Sequence, residues 1–198
     1  MIKKAIILAG GTGSRLNPIT LAVNKHLLPV NDKPLIFYPL SVLMLAGIRE
    51  ILIIVNQGNI PLFRKLLGNG SQIGLKITYV EQKKPSGIPD AFNLGKKFIA
   101  NDNVALILGD NFFYGQSFTE KFKSAIKLNK GAKIFLYPVR NPTNFGVANM
   151  KNKKIITLEE KPKKPKSNLV ITGFYLFDNS VVSKIKNLKF SKEENMKL

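Results

Sequence analysis

The chain has 198 residues, with 31 Lys and Arg against 12 Asp and Glu, and a formal net charge of +19. A hydrophobic fraction of 44% excludes a wholly disordered chain, and the length suits a single domain spanning 1–198. Zero cysteine excludes a disulfide scaffold, a thiolate metal site and a cysteine nucleophile, and a single histidine, His26, excludes any multi-histidine metal site.

In chain order, residues 4–8 read as a first strand that is almost continuously apolar, the pattern of a strand covered on both faces. Lys3-Lys4 before this run imitates a signal peptide. The apolar stretch is too short for one and enters Gly10-Gly11, as a strand-to-loop junction does. No run approaches the ~20 apolar residues of a membrane helix, so the expectation is a cytoplasmic protein without a membrane partner. Residues 50–55, 76–80, 104–108 and 133–137 read as further strands, and 34–47, 60–67, 90–100 and 117–129 as helices between them. Phe118, Phe122, Ala125 and Ile126 form one apolar stripe on the last of these. The runs 155–158 and 170–177 lack long helices beside them and predict an antiparallel extension.

The predicted fold is therefore α/β: a Rossmann-like, mostly parallel sheet with helices on both faces and a small antiparallel extension. Ligands of such sheets sit beyond the carboxyl ends of the strands. The positive charge allows either a nucleic-acid binder or an enzyme acting on phosphorylated substrates. Lysine supplies nearly all of it, with arginine only at positions 15, 49, 64 and 140. Base readout favours the forked guanidinium, so the composition speaks against a sequence-reading protein.

The loop Gly10-Gly11-Thr12-Gly13-Ser14-Arg15-Leu16 directly follows the first strand. Glycines let backbone N–H groups approach an anion closely, and Arg15 with Lys25 adds cationic charge. It is not a Walker A loop, and Leu16 stands where a dinucleotide fingerprint needs its third glycine. A plain tight turn is the alternative for the glycines, and an exposed lysine the alternative for Lys25. Asp110, after the fourth strand in Leu108-Gly109-Asp110-Asn111, is either a metal-binding carboxylate or a turn cap. Gln82 and Gly87 bracket a Pro85-marked loop that either meets a ligand or simply turns at the surface.

These segments, with Lys25-His26-Leu27-Leu28-Pro29-Val30, residues 32–50 and residues 159–168, together resemble the sugar-1-phosphate nucleotidylyltransferases, and within them the kind that joins dTTP to glucose 1-phosphate. The resemblance extends to about Val182. It implies transfer of a thymidylyl group to glucose 1-phosphate, giving dTDP-glucose and pyrophosphate with Mg²⁺ as cofactor. It assigns Arg15 and Lys25 to catalysis, and Gly10, Gly13, Ser14, His26, Gln82 and Gly87 to the nucleotide. Gly146, Glu160, Lys161 and Ile171 fall to the sugar phosphate, and Asp110 to the metal. It also places the basic run 161–166 in the family pattern, leaving no role for nucleic acid.

Two positions depart from that pattern. His26 stands where Gln is frequent, and is equally readable as a ring packed beside Leu27; Asp90 replaces a common Gln. Both bear on base and sugar specificity. Family chains continue past this one's last residue, and 189–198 match the next family segment only faintly. The expectation is weak independent turnover, with a homo-oligomer or a companion chain supplying the remainder. The alternatives are a UTP-dependent uridylyltransferase and a non-catalytic module that binds a nucleotide sugar.

Overall fold

Strands with buried residues on both faces need helices above and below, and the chain supplies both. The computed structural model describes residues 1–84, 86–152 and 154–185; residues 189–198, weighed above, lie outside them. In chain order come β1 (Lys4–Ala9), a small hairpin of β2 (Pro29–Val30) and β3 (Lys33–Pro34), and α1 (Phe37–Ala46). Then follow β4 (Glu50–Asn56), α2 (Ile60–Leu67), β5 (Lys76–Gln82), α3 (Ile88–Leu94), α4 (Lys96–Ile99) and β6 (Val104–Leu108). The remainder is α5 (Phe118–Ala125), β7 (Ala132–Pro138), β8 (Gly146–Lys151), β9 (Lys154–Glu160), β10 (Leu169–Phe177) and α6 (Val181–Ile185).

The main sheet runs β5-β4-β1-β6-β10-β8-β9, with β7 also paired to β10. The first four strands in that order are parallel, so their carboxyl ends share one rim. Side chains alternate across each strand. Ala5, Ile7, Ile51, Ile53, Ala105 and Ile107 therefore face one way, into a core shared with α1, α2 and α5. Ile6, Leu52, Ile54 and Leu106 face the other, against Ala91, Phe92, Val181 and Ile185. Each such fully buried Ile or Leu contributes about 1.5–3 kcal/mol, which makes the central strands the rigid platform for the rim.

β10 is antiparallel to β6 and changes neighbours along its length. Phe174–Phe177 pair with β6, whereas Val170 pairs with Val147 of β8. Between the two lies an irregularity in its pairing with β7, where Gly173 takes φ +75°. The sheet forks there, at the end of β6.

Several predicted boundaries move. The helix expected over 34–47 starts at Phe37 because Pro34 belongs to the β2–β3 hairpin. The helix expected over 90–100 is two, parted at Gly95, where an added Cβ would come within 2.8 Å of Ile6 Cδ1 and 2.9 Å of Ala91 O. The chain there lies too close to β1 for a side chain. The helix expected over 117–129 ends at Ala125, and the Ile126 carbonyl instead accepts from Ile2 N–H at 2.8 Å. The antiparallel part is larger than expected and continuous with the sheet. It includes β7, and also β8, whose Gly146, Ala148 and Asn149 gave no strand signal.

Candidate active site

The glycine loop leaves β1 between two strand ends. Asn56, the last residue of β4, grips Gly11 at both backbone groups: Oδ1 accepts Gly11 N–H at 2.9 Å and Nδ2 donates to Gly11 O at 2.7 Å. Gly13 takes φ +63°, and an added Cβ there would lie 2.9 Å from Thr20 Cγ2 and 3.2 Å from Lys25 Cβ. The Thr20 hydroxyl lies 2.9 Å from Gly13 O. Ser14–Leu16 continue as a 3₁₀ turn with Ser14 and Arg15 exposed. Among the described residues Arg15 has no ion pair, so its guanidinium is available to a ligand.

Gln82 ends β5, beside Asn56 in the parallel register. It is 4% exposed. Its Nε2 donates to Asp90 Oδ2 at 2.9 Å, and its Oε1 lies over Gly10, 2.7 Å from where a Cβ would stand. A side chain at position 10 would push the Gln82 amide from its place. Gly87, with φ +81°, opens α3 next to it.

Lys25 and Asp110 form an ion pair across the rim, with side chains 28% and 35% exposed. Burial alone would raise the Asp110 carboxyl. The Lys25 ammonium bonded to it outweighs that, and the net shift is downward, so the carboxylate stays charged. His26 lies beneath this pair, 3% exposed. Its backbone N–H donates to Asn24 Oδ1 at 2.9 Å, and its ring Nδ1 lies 3.0 Å from the same oxygen. A backbone N–H can only donate, so that atom is an acceptor and Nδ1 carries the ring proton. The ring presses on Gly109, where a Cβ would come within 2.7 Å of His26 Cδ2. Burial, helped by Lys25 and opposed by Asp110, lowers its pKa from 6.5 to about 4. His26 is thus a buried, neutral ring beneath the ion pair, packed against Gly109.

On the other side of the fork, Gly146 opposes Glu160 across β8 and β9. An added Cβ on Gly146 would lie 3.1 Å from Ile171 Cδ1 and 3.2 Å from Glu160 Oε2. These three residues therefore meet. Lys161 follows in an exposed turn with φ +44°, its N–H donating to Phe145 O at 3.0 Å and its ammonium 4.0 Å from Glu160 Oε1. The two sides are tied by Asn111, whose Nδ2 donates to Thr172 O, and Gly173 leaves room for that amide. Phe113, edge-on to Phe122 and Phe174 at 5.9 and 6.0 Å, anchors the same loop in the core.

Gly13, Lys25 and Asp110 thus form one contact group, and Gly146, Glu160 and Ile171 another, joined through Asn111 and Thr172. Lys161 and Arg15 flank these groups without touching each other. Asn56, Asn24 and Asn111 were missed from sequence. Asn56 left a trace there, as a polar residue closing an apolar strand, and Asn111 stood beside Asp110 in Leu108-Gly109-Asp110-Asn111. An open groove of about 840 Å³ lies elsewhere, along α5 and β7 beside Phe135, Met150 and Ile155. None of the site residues described above lines it. No group of three or more His, Cys, Asp or Glu capable of holding a metal occurs among the described residues, and none of their helices is long and apolar enough to cross a membrane.

The chain is 54% identical over 187 residues to a glucose-1-phosphate thymidylyltransferase of Neisseria meningitidis, and 48% identical over 189 residues to one of Mycolicibacterium smegmatis. These alignments cover 94% and 95% of the chain; it spans 65% of the length of either relative. A crystal structure from Bacillus anthracis described under the same enzyme name, in complex with a sucrose, superposes with a TM-score of 0.85 at 46% identity, over 94% of this chain and 75% of that one. A UDP-glucose pyrophosphorylase complexed with UDP-glucose gives the same TM-score at 25% identity, covering 99% and 83%. The family model described as nucleotidyl transferase matches residues 4–198. With a glycine loop, a cation and a carboxylate gathered at the carboxyl rim of this sheet, the chain belongs to the nucleotidyl transferase family.

Proposed function

We propose that the chain transfers the thymidylyl group of dTTP to glucose 1-phosphate, giving dTDP-glucose and pyrophosphate. The observation that carries this reading is the pairing of the Gly13–Lys25–Asp110 group with the Gly146–Glu160–Ile171 group across one fork of the sheet. The shared name of the relatives supports the choice of substrates.

The nucleophile is a phosphate oxygen of glucose 1-phosphate, already an anion. It attacks the α-phosphorus of dTTP, a P–O bond forms, and the bond to the β-phosphate breaks as pyrophosphate leaves. No strong base is needed, which suits a site whose one imidazole is buried and neutral. The difficulty is bringing two polyanions together, so the work is positioning and charge neutralisation. Backbone groups of Gly10, Gly13 and Ser14 cradle the triphosphate, and Arg15 steadies charge on the departing pyrophosphate. Lys25 stands against the reacting phosphates. Gln82 and Gly87 meet the base. Lys161 binds the sugar phosphate, while Glu160 accepts from hexose hydroxyls beside Gly146 and Ile171.

Asp110 is a hard oxygen donor, one-third exposed and, among the described residues, ion-paired with Lys25 alone. That suits a Mg²⁺ ion, which binds through one or two carboxylates and completes its shell with phosphate oxygens and water. When bound, the ion supplies further neutralisation of phosphate charge.

The test is pyrophosphate release with Mg²⁺, glucose 1-phosphate and either dTTP or UTP. Release with dTTP, preferred over UTP and lost in Arg15→Ala, supports the reading. Preference for UTP would replace it with uridylyl transfer, and nucleotide binding without release from either would replace it with a binding module.

A further inference from the structure

Asp90 holds a position that neither phosphate binding nor sugar binding explains. Its carboxylate accepts from Gln82 Nε2 at 2.9 Å, and Gln82 is buried. A carboxylate offers only acceptors, so the end of the amide turned toward it must be nitrogen, and the oxygen must lie on the opposite side, over Gly10. Among the described residues no donor reaches that oxygen. One Nε2 hydrogen is taken by Asp90; the oxygen and the second hydrogen remain.

We infer that Asp90 is a positioning residue that locks the Gln82 amide in a single orientation and thereby makes the site discriminate thymine and uracil from cytosine. The inference rests on the reading of this site as one for dTTP. Thymine and uracil carry a carbonyl at C4 beside an N3–H donor. Cytosine carries an amino donor at C4 beside a bare N3 acceptor. For a base held in one pose, an amide fixed in one orientation complements one of these edges and opposes the other. An amide free to turn over serves both. A base seated on the amide shuts water out and makes the mismatch costly, because an unpaired polar group there cannot recover its bond. An amide at position 90 would remove the lock, since it can accept from Gln82 through oxygen or donate to it through nitrogen.

Affinities for dTTP and dCTP are measured by calorimetric titration in Mg²⁺ for the whole chain and for Asp90→Asn, a readout that does not depend on turnover. The ratio of the two affinities is expected to narrow about tenfold in the variant, chiefly because dCTP gains. Equal weakening of both nucleotides, or an unchanged ratio, would overturn the inference and leave the dTTP reading intact. If the unaltered chain binds neither nucleotide, the dTTP reading fails and takes the inference with it. Should Asp90→Asn not fold, Asp90→Ala removes the same anchor and is expected to narrow the ratio likewise. An undiminished ratio there would overturn the inference.

Discussion

The two sides of the fork are built differently. On the glycine-loop side, neutral amides hold the loops: half-buried Asn56 holds Gly11 at two points, half-buried Asn24 caps the turn at His26, and the buried Gln82 is pinned by Asp90. On the Glu160 side, β9 is exposed along nearly its whole length, and its carboxylates have loose partners: Glu160 lies 4.0 Å from the Lys161 ammonium, and Glu159 lies 4.0 Å from that of Lys166 and accepts from Asn149 Nδ2 at 3.2 Å. One side is pre-shaped by part-buried hydrogen bonds. The other presents charge on a strand whose packing sets little. A triphosphate needs many close backbone contacts, so rigidity has its greatest value on the glycine-loop side.

The comparison breaks first if the glycine-loop side can lose its charges cheaply. Asp110→Ala is expected to lower pyrophosphate release by on the order of 10²–10³, measured at saturating dTTP and glucose 1-phosphate. A loss below tenfold would mean the carboxylate only caps a turn.

The next largest effect is on stability. Folded His26 resists protonation down to about pH 4, whereas the unfolded chain takes the proton near 6.5. Stability is therefore full above 6.5 and falls by about 3 kcal/mol as the pH drops toward 4. Urea denaturation at pH 7 and pH 4.5 reads this, and His26→Gln should remove most of the difference. Asp110 acts in a lower window: its carboxyl is held below its usual value, so its contribution is lost only as the pH falls beneath that value.

Paired glycine substitutions sharpen the contrast directly. Gly109→Ala would drive a Cβ to 2.7 Å from the His26 ring and 3.1 Å from the Leu8 carbonyl, neither of which can yield. The expected cost is about 1–3 kcal/mol. Gly146→Ala meets only the tips of Ile171 and Glu160, at 3.1 and 3.2 Å. Those ends can swing aside, so the expected cost is under ~1 kcal/mol. Equal losses in chemical denaturation would erase the distinction between the two sides.

The smallest stability effect belongs to Lys161→Ala, whose exposed ion pair contributes little, ~0–1 kcal/mol at most. Its consequence is kinetic: the glucose 1-phosphate requirement should rise more than the dTTP requirement. Steady-state kinetics in both substrates would show it.

Much of this arrangement was legible in the sequence because it follows from local rules. The continuous apolar run marked β1 as a strand covered on both faces, and the glycine loop, Lys25 and Asp110 fell at the carboxyl rim that such a sheet dictates. The split at Gly95 was not legible, since it depends on how closely the helix approaches Ile6 across the sheet. β8 stayed hidden because its residues carry little strand preference, and it forms only because β9 and β10 flank it. Asn56, Asn24 and Asn111 were invisible as site-shaping residues for a related reason. An asparagine bonds whatever backbone lies nearest, and the partners Gly11, His26 and Thr172 are set by tertiary proximity. Asp90 showed only as an oddity until Gln82 was found beside it.

The account turns on whether Arg15, Lys25 and Asp110 serve one ligand. Calorimetric titration with dTTP in Mg²⁺, followed by glucose 1-phosphate, tests this most directly. The account predicts tight binding that Arg15→Ala weakens, a Mg²⁺ dependence that Asp110→Ala abolishes, and pyrophosphate on addition of the sugar phosphate. Binding of dTTP left unchanged by both substitutions would contradict it.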